Sequence, residues 1–183
     1  MSDKTMDLYL IQSPEAAFPD EDNVRGYNRD LLRYFKNSVP IIDLGDFICR
    51  IAREVGARRR LIKKLVIGSH GAGFGDGYGY FHIGKTLIRT GDDKEINTLK
   101  LIARFFVKDA DVYLLACQTG QSTKLLRKVS AALGGVRVHG YTDYITTTNT
   151  GPFQWPFGGV SVDDGTDDEG KEIVCLPGSC RVL

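Results

Sequence analysis

Three histidines and four cysteines occur in 183 residues, and this scarcity narrows the chemistry. Any imidazole base has to be His70, His82 or His139. Cys49, Cys117, Cys175 and Cys180 are too unevenly spread to form a disulfide framework. Neither Cys175 nor Cys180 has the companion pair that a zinc site requires, so no metal is expected. The net charge is +1, which gives no overall pull toward nucleic acid or an anionic membrane. No stretch approaches the roughly 20 apolar residues of a membrane span. The opening Met-Ser-Asp-Lys-Thr-Met-Asp leads into no signal-peptide core. The expectation is one soluble, cytoplasmic domain over residues 1–183, with export by a route lacking a conventional signal left open. No cofactor is implied.

What is present is a series of short apolar runs alternating with helical stripes. Asp7–Ile11 reads as a strand, followed by Val24, Leu31, Leu32 and Phe35 at helical spacing. Pro40 separates this from a second helix over Asp43–Val55, whose stripe is Leu44, Phe47, Ile48, Ile51 and Val55, with Cys49 packing beside it. Arg58–Arg60, Lys63 and Lys64 read as a solvated helix end and loop. Leu65–Gly68 is a buried strand, then alternate glycines from Gly71 to Gly79 read as a mobile loop. Tyr80–Ile88 suits a short strand or hairpin, with His82 structural, and Asp92-Asp93 cap a helix through about Val107. Val112–Ala116 is a second buried strand. A helix capped by Ser122 or Thr123 ends at Gly134-Gly135, and Val136–Gly140 is a further strand carrying His139. From residue 143 to 183 the chain reads as a long loop and a hairpin, Val160–Val162 against Ile173–Leu176, joined by a solvated acidic turn. The core therefore spans about 5–142. The alternation predicts an α/β fold, a three-layer α-β-α sandwich around a mainly parallel sheet.

Two of these strands end in chemistry. Leu65–Gly68 runs into Ser69-His70-Gly71, and Val112–Ala116 runs into Cys117-Gln-Thr-Gly120. In an open parallel sheet the carboxyl ends of the strands line one crevice. His70 and Cys117 on neighbouring strands face each other there, as base and nucleophile. The start of the following helix, close after Cys117, favours the thiolate. The N–H groups of Gly71 and Cys117 point into the same space and suit an oxyanion hole. Neither G-x-G-x-x-G nor G-x-S-x-G is present: the glycines alternate, and Ile67 stands where the nucleophile elbow needs its first glycine.

Strand–Ser-His-Gly71, about fifty residues, then strand–Ala-Cys117 resembles the caspase-like cysteine peptidases of clan CD, which include gingipains, legumain, separase and the self-cleaving domains of large bacterial toxins. The resemblance covers about Leu65 to Tyr141 and implies a caspase-like fold. It also implies hydrolysis of a peptide or protein substrate through a thioester on Cys117, with His70 as the general base or acid. Gly71 and the Cys117 N–H would form the oxyanion hole, and Tyr141, Thr142 and Asp143 would line the substrate cleft. The full caspase signature Q-A-C-x-G is absent, since Leu115 precedes Ala116 and the next glycine is Gly120. Two other functions fit parts of the chain. One is a catalytically silent module of the same fold that binds a protein partner through Phe153, Trp155 and Phe157. The other is a phosphate binder using the glycine stretch, against which the glycine spacing argues.

Overall fold

The computed structural model describes residues 4–16, 22–75, 77–147, 160–163 and 170–183. Phe153, Trp155, Phe157 and the acidic turn from 164 to 169 lie outside the described residues. Among those described, seven strands form one mixed sheet, and helices cover both of its faces. Its parallel part is β1 (Thr5–Gln12), β2 (Val39–Ile41), β3 (Leu61–Gly68), β7 (Phe106–Leu115) and β8 (Arg137–Tyr141), in spatial order β8-β7-β3-β1-β2. A hairpin, β11 (Glu172–Cys175) and β12 (Cys180–Val182), continues the sheet beyond β8, with β11 antiparallel to β8.

The alternation along each strand explains the two layers. Leu8, Leu10, Val112 and Leu114 point to one face, where α2 (Leu44–Arg58), α3 (Asp93–Thr98) and α4 (Thr123–Ala132) bury their apolar stripes. Ile11, Val66 and Leu115 point to the other, against Leu31 and Phe35 of α1 (Asp22–Tyr34). Residues buried on both faces give the continuous apolar runs seen in β3 and β7. The Asp43 side chain accepts from the Asp46 N–H (2.8 Å) to start α2, and Arg59 in the left-handed region ends it. Gly134 and Gly135, both at positive φ, end α4 as the sequence implied.

Several expectations give way. Pro40 is not only a separator: it lies in β2, which pairs with β1 alone at the sheet's edge, where a missing N–H costs no ladder bond. The glycine stretch is not a mobile loop. It folds as β4 (Gly71–Phe74) and β5 (Tyr78–Ile83), completed by β6 (Thr86–Arg89) into a three-stranded antiparallel sheet. The helix expected through Val107 is α for only its first six residues and then a 3-10 helix over Leu99–Phe105. β10 (Val160–Asp163) pairs with β9 (Tyr144–Thr147), and Ile173–Cys175 joins the main sheet instead. Cys49 is exposed rather than packed.

Cys175 and Cys180 are disulfide-bonded, contrary to the reading from their spacing. They are directly opposite each other on β11 and β12, a placement that only the hairpin creates. Alkylating the denatured, unreduced protein is therefore expected to add two adducts, on Cys49 and Cys117. Intact mass measures this directly, and four adducts would rule the bridge out.

Candidate active site

β3 and β7 are adjacent and parallel, and their last registered pair is Gly68 with Leu115. Ser69 N–H donates to the Leu115 carbonyl (3.0 Å), holding the two chains together one step further. His70 and Cys117 each follow two residues after that pair. Equal offsets from a registered pair, on strands about 4.8 Å apart, set both residues just past the sheet's carboxyl edge. Both residues are half-buried.

Beyond this edge the chains turn sharply. Gln118 sits at φ 54, in the left-handed region. The Ala116 carbonyl accepts from the Thr119 hydroxyl (2.9 Å), and a 3-10 turn over Thr119–Gln121 follows. The alternate glycines form the seat for this turn. A Cβ on Gly71 would lie 2.9 Å from that of Ala116. One on Gly73 would lie 1.9 Å from the Gln118 carbonyl oxygen, and one on Gly79 would lie 1.8 Å from Ser122 Oγ. Gly73 and Gly79 are cross-strand partners, so the hairpin offers a bare backbone surface to the turn after Cys117. His82 N–H donates to the His70 carbonyl (3.0 Å), which makes 70 and 82 a hydrogen-bonded pair of the ladder. Gly71, opposite Phe81, therefore directs its N–H away from β5 along the free edge of β4.

The expected support from a helix start fails. Gln118–Ser122 intervene before α4 begins at Thr123, and Ser122 Oγ donates to the Tyr78 carbonyl (2.7 Å) instead of capping. A dipole effect confined to the first turn does not reach back to Cys117. Burial pushes the Cys117 thiol above its ordinary range, and the nearby Asp143 charge adds to this. Hydrogen bonds from the N–H groups of Ile145 and of Cys117 itself act the other way but do not prevail. In the free protein the thiol is thus the resting form. Its alkylation by iodoacetamide is expected to be slower at pH 7 than that of exposed Cys49. Mass spectrometry of Cys117 against exposed Cys49 checks this.

The surroundings include residues that the sequence reading missed. Gln12, at the end of β1, is buried; its Oε1 accepts from His70 N–H (3.3 Å) and from Asn28 Nδ2 (3.3 Å), and its Nε2 donates to the Gly84 carbonyl (2.9 Å). Asn28 lies on the same helical face as Leu31 and Phe35 and is buried with them. Tyr27 donates to the Leu115 carbonyl (3.1 Å) at the strand end before Cys117. Burial and then nearness to Cys117 raise its phenol well above the usual value. The Tyr80 hydroxyl lies 3.4 Å from His70 Nε2.

Of the three residues expected along the cleft, Tyr141 is fully buried in the second core cluster, so its side chain does not line a surface. Thr142 and Asp143 are half-buried and bound to the turn after Cys117: Gln118 N–H donates to the Asp143 carbonyl (2.9 Å) and Gln121 Nε2 to the Thr142 carbonyl (2.7 Å). His82 is buried within the small sheet, its ring 6.0 Å from that of His70. His139 belongs to a separate network toward the amino-terminal ends of β7 and β8. Its Nδ1 meets Glu172 Oε1 (2.6 Å) and its Nε2 meets Asp111 Oδ1 (3.0 Å), while Arg137 holds Asp111 from two nitrogens (2.6 and 2.8 Å). Among the described residues no group of three or more His, Cys, Asp or Glu is arranged to hold a metal. No helix among them is long and apolar enough to cross a membrane.

No protein-family model, curated protein or solved structure matches this chain.

Proposed function

We propose that this protein is a caspase-like cysteine peptidase whose nucleophile is Cys117 and whose base is His70. The observation that carries this reading is the shared register, with each residue two positions past the Gly68–Leu115 pair on adjacent parallel strands. The N–H of Gly71 supports it further: it points away from β5 and has no hydrogen-bond partner among the described residues.

The chemistry follows the resting thiol. When a substrate carbonyl sits against Cys117, His70 takes the thiol proton as Sγ attacks the carbonyl carbon. With Tyr80 at Nε2, Nδ1 is the nitrogen left for this transfer. The oxygen gains the negative charge and is held by the N–H groups of Gly71 and Cys117, each worth about 3 kcal/mol of barrier. Collapse breaks the C–N bond, and the leaving amine carries away the proton from His70. Water then attacks the thioester, giving its proton to His70, and the thiol departs with that proton as the carboxylic acid is released. Because the thiol's pKa is raised, proton removal is coupled to attack and does not precede it.

The Cys175–Cys180 disulfide favours an oxidising compartment over the cytoplasm expected from composition. A library of diverse peptides tests the activity. Cleavage by the parent protein that disappears in Cys117→Ala is the expected result. Cleavage by both proteins, or by neither, would overturn the reading.

A further inference from the structure

The glycine hairpin has two unlike faces. Gly71, Gly73 and Gly79 are buried against the turn after Cys117. The period of two puts His70, Ala72 and Phe74 on the opposite face, and their ladder partners His82, Tyr80 and Tyr78 share it. His70 thus stands first in a row that runs outward along β4. Tyr80 flanks this row, its ring centre 6.0 Å from that of His70 and 6.4 Å from that of Phe74. Tyr78, at the tip, is taken up by Lys124, whose Nζ lies 4.4 Å from its ring centre. Arg89, opposite Tyr80 on β6, donates from Nε to Asp92 Oδ2 (2.9 Å). Ala72 and Tyr80 are half-buried and Phe74 is 55% exposed, so the accessible surface next to His70 in this row is a methyl group and two aromatic rings.

We propose that this row receives a large apolar side chain, aromatic by preference, from one of the two residues that follow the bond being cut. This rests on the peptidase reading above and adds the substrate class to it.

In that reaction the two halves of the substrate separate. The acyl half stays on Cys117, and the amine half leaves with the proton from His70. The chain beyond the bond therefore starts at the imidazole. Ala72 lies two residues, about 7 Å, further along β4, and an extended peptide covers that distance in two residues. The small side chain of Ala72 leaves a step between His70 and Phe74, which a bulky substrate side chain fills. A ring seated there meets Phe74 and Tyr80 in the tilted or offset arrangements that aromatic pairs favour. A carboxylate would exchange its water for ring and methyl carbon, and an alanine would leave Phe74 in water. An isolated exposed phenylalanine is ordinary on a protein surface. Phe74 differs because it shares one strand face with the base.

The test sequences, by mass spectrometry, the fragments that the parent, Phe74→Ser and Phe74→Leu release from the diverse peptide library. Phenylalanine, tyrosine, tryptophan or leucine is expected within the first two residues of the amine-side fragments. In a pair of peptides differing only at that position, phenylalanine in place of alanine is expected to raise kcat/KM about tenfold, the scale for partial burial of one aromatic side chain. Phe74→Ser is expected to bring that ratio close to one, and Phe74→Leu to keep most of it. Position 74 is exposed, and substitutions at such positions change stability little. Fragments that begin with small or charged residues, or show no preference, would overturn the apolar specificity while leaving the peptidase reading standing. An aromatic preference that Phe74→Ser keeps in full would take it away from this face. A parent that sediments as a dimer, with Phe74→Ser a monomer, would give the row to a second copy of the chain and overturn the inference. If the parent cleaves no peptide, the peptidase reading fails and takes this inference with it.

Discussion

Gly73→Ala is expected to lower stability by about 3 kcal/mol and to displace Cys117 from its seat. The added methyl would lie 1.9 Å from the Gln118 carbonyl oxygen, 2.8 Å from Gln121 Cβ and 3.0 Å from the Gln118 carbonyl carbon. Two of these three obstacles are backbone, which cannot rotate out of the way as a flexible side chain can. Overpacking typically costs 1–3 kcal/mol, and a rigid obstacle places the cost at roughly the top of that range. The comparison is Gly75→Ala on the same hairpin, where nothing lies within 4 Å of the new atom. Urea denaturation of the two variants beside the parent is the measurement. Equal midpoints for both would mean that the glycine surface does not hold the turn after Cys117.

His139→Ala is expected to cost about 3 kcal/mol, for electrostatic reasons. The His139 ring bridges two carboxylates, Nδ1 meeting Glu172 Oε1 (2.6 Å) and Nε2 meeting Asp111 Oδ1 (3.0 Å). The side chains of His139, Asp111 and Glu172 are 6%, 19% and 15% exposed, so removing the imidazole strands two poorly solvated carboxylates. Breaking a buried pair by deleting one partner costs about 3–5 kcal/mol, and the bidentate Arg137 that Asp111 retains puts this case at the low end. The same network makes the fold acid-sensitive. Burial works to raise the Asp111 carboxyl, but hydrogen bonds from Arg137 and His139 outweigh it and hold the carboxyl below its ordinary value. A depressed folded value means that the stabilisation is present above the unfolded value of about 3.9 and is lost as pH falls through the folded one. Thermal melting between pH 2 and 7 should therefore show a loss below about pH 4 that is smaller in Asp111→Asn. Burial, followed by the charges of Asp111 and Glu172, also pushes the neighbouring Tyr113 phenol to about 12, so this tyrosine stays neutral throughout that range.

The parts of the fold that could be read in advance are those where burial on two faces leaves an unbroken apolar run. Leu65–Gly68 and Val112–Ala116 were visible for that reason, and so were the residues that end them. The register between β3 and β7, which sets His70 and Cys117 at equal offsets past the Gly68–Leu115 pair, is not written in either run. It comes from the order in which the strands assemble. The glycine hairpin was hidden because Gly71, Gly73 and Gly79 stand where apolar side chains would otherwise mark a strand by alternation. The Cys175–Cys180 bridge depends on a four-residue turn placing the two residues opposite each other, and a spacing of that kind has no periodic signature. Gln12 and Asn28 look like ordinary polar residues in one dimension. Their role in holding the His70 backbone emerges only when α1, β1 and the end of β3 meet. The helix start was misjudged because a 3-10 turn of three residues was enough to separate Cys117 from the dipole of α4.

The pairing of His70 with Cys117 is tested most directly by the rate at which iodoacetamide alkylates Cys117 between pH 6 and 9. The rate is to be followed in the parent, His70→Ala and His82→Ala, with Cys49 as the internal reference. His82 is the nearby imidazole control, with its ring 6.0 Å from that of His70. With His70 as the base for the thiol, His70→Ala alone lowers the Cys117 rate by about tenfold or more below pH 8.5, and Cys49 is unaffected. Indistinguishable Cys117 profiles in the parent and His70→Ala would contradict the dyad.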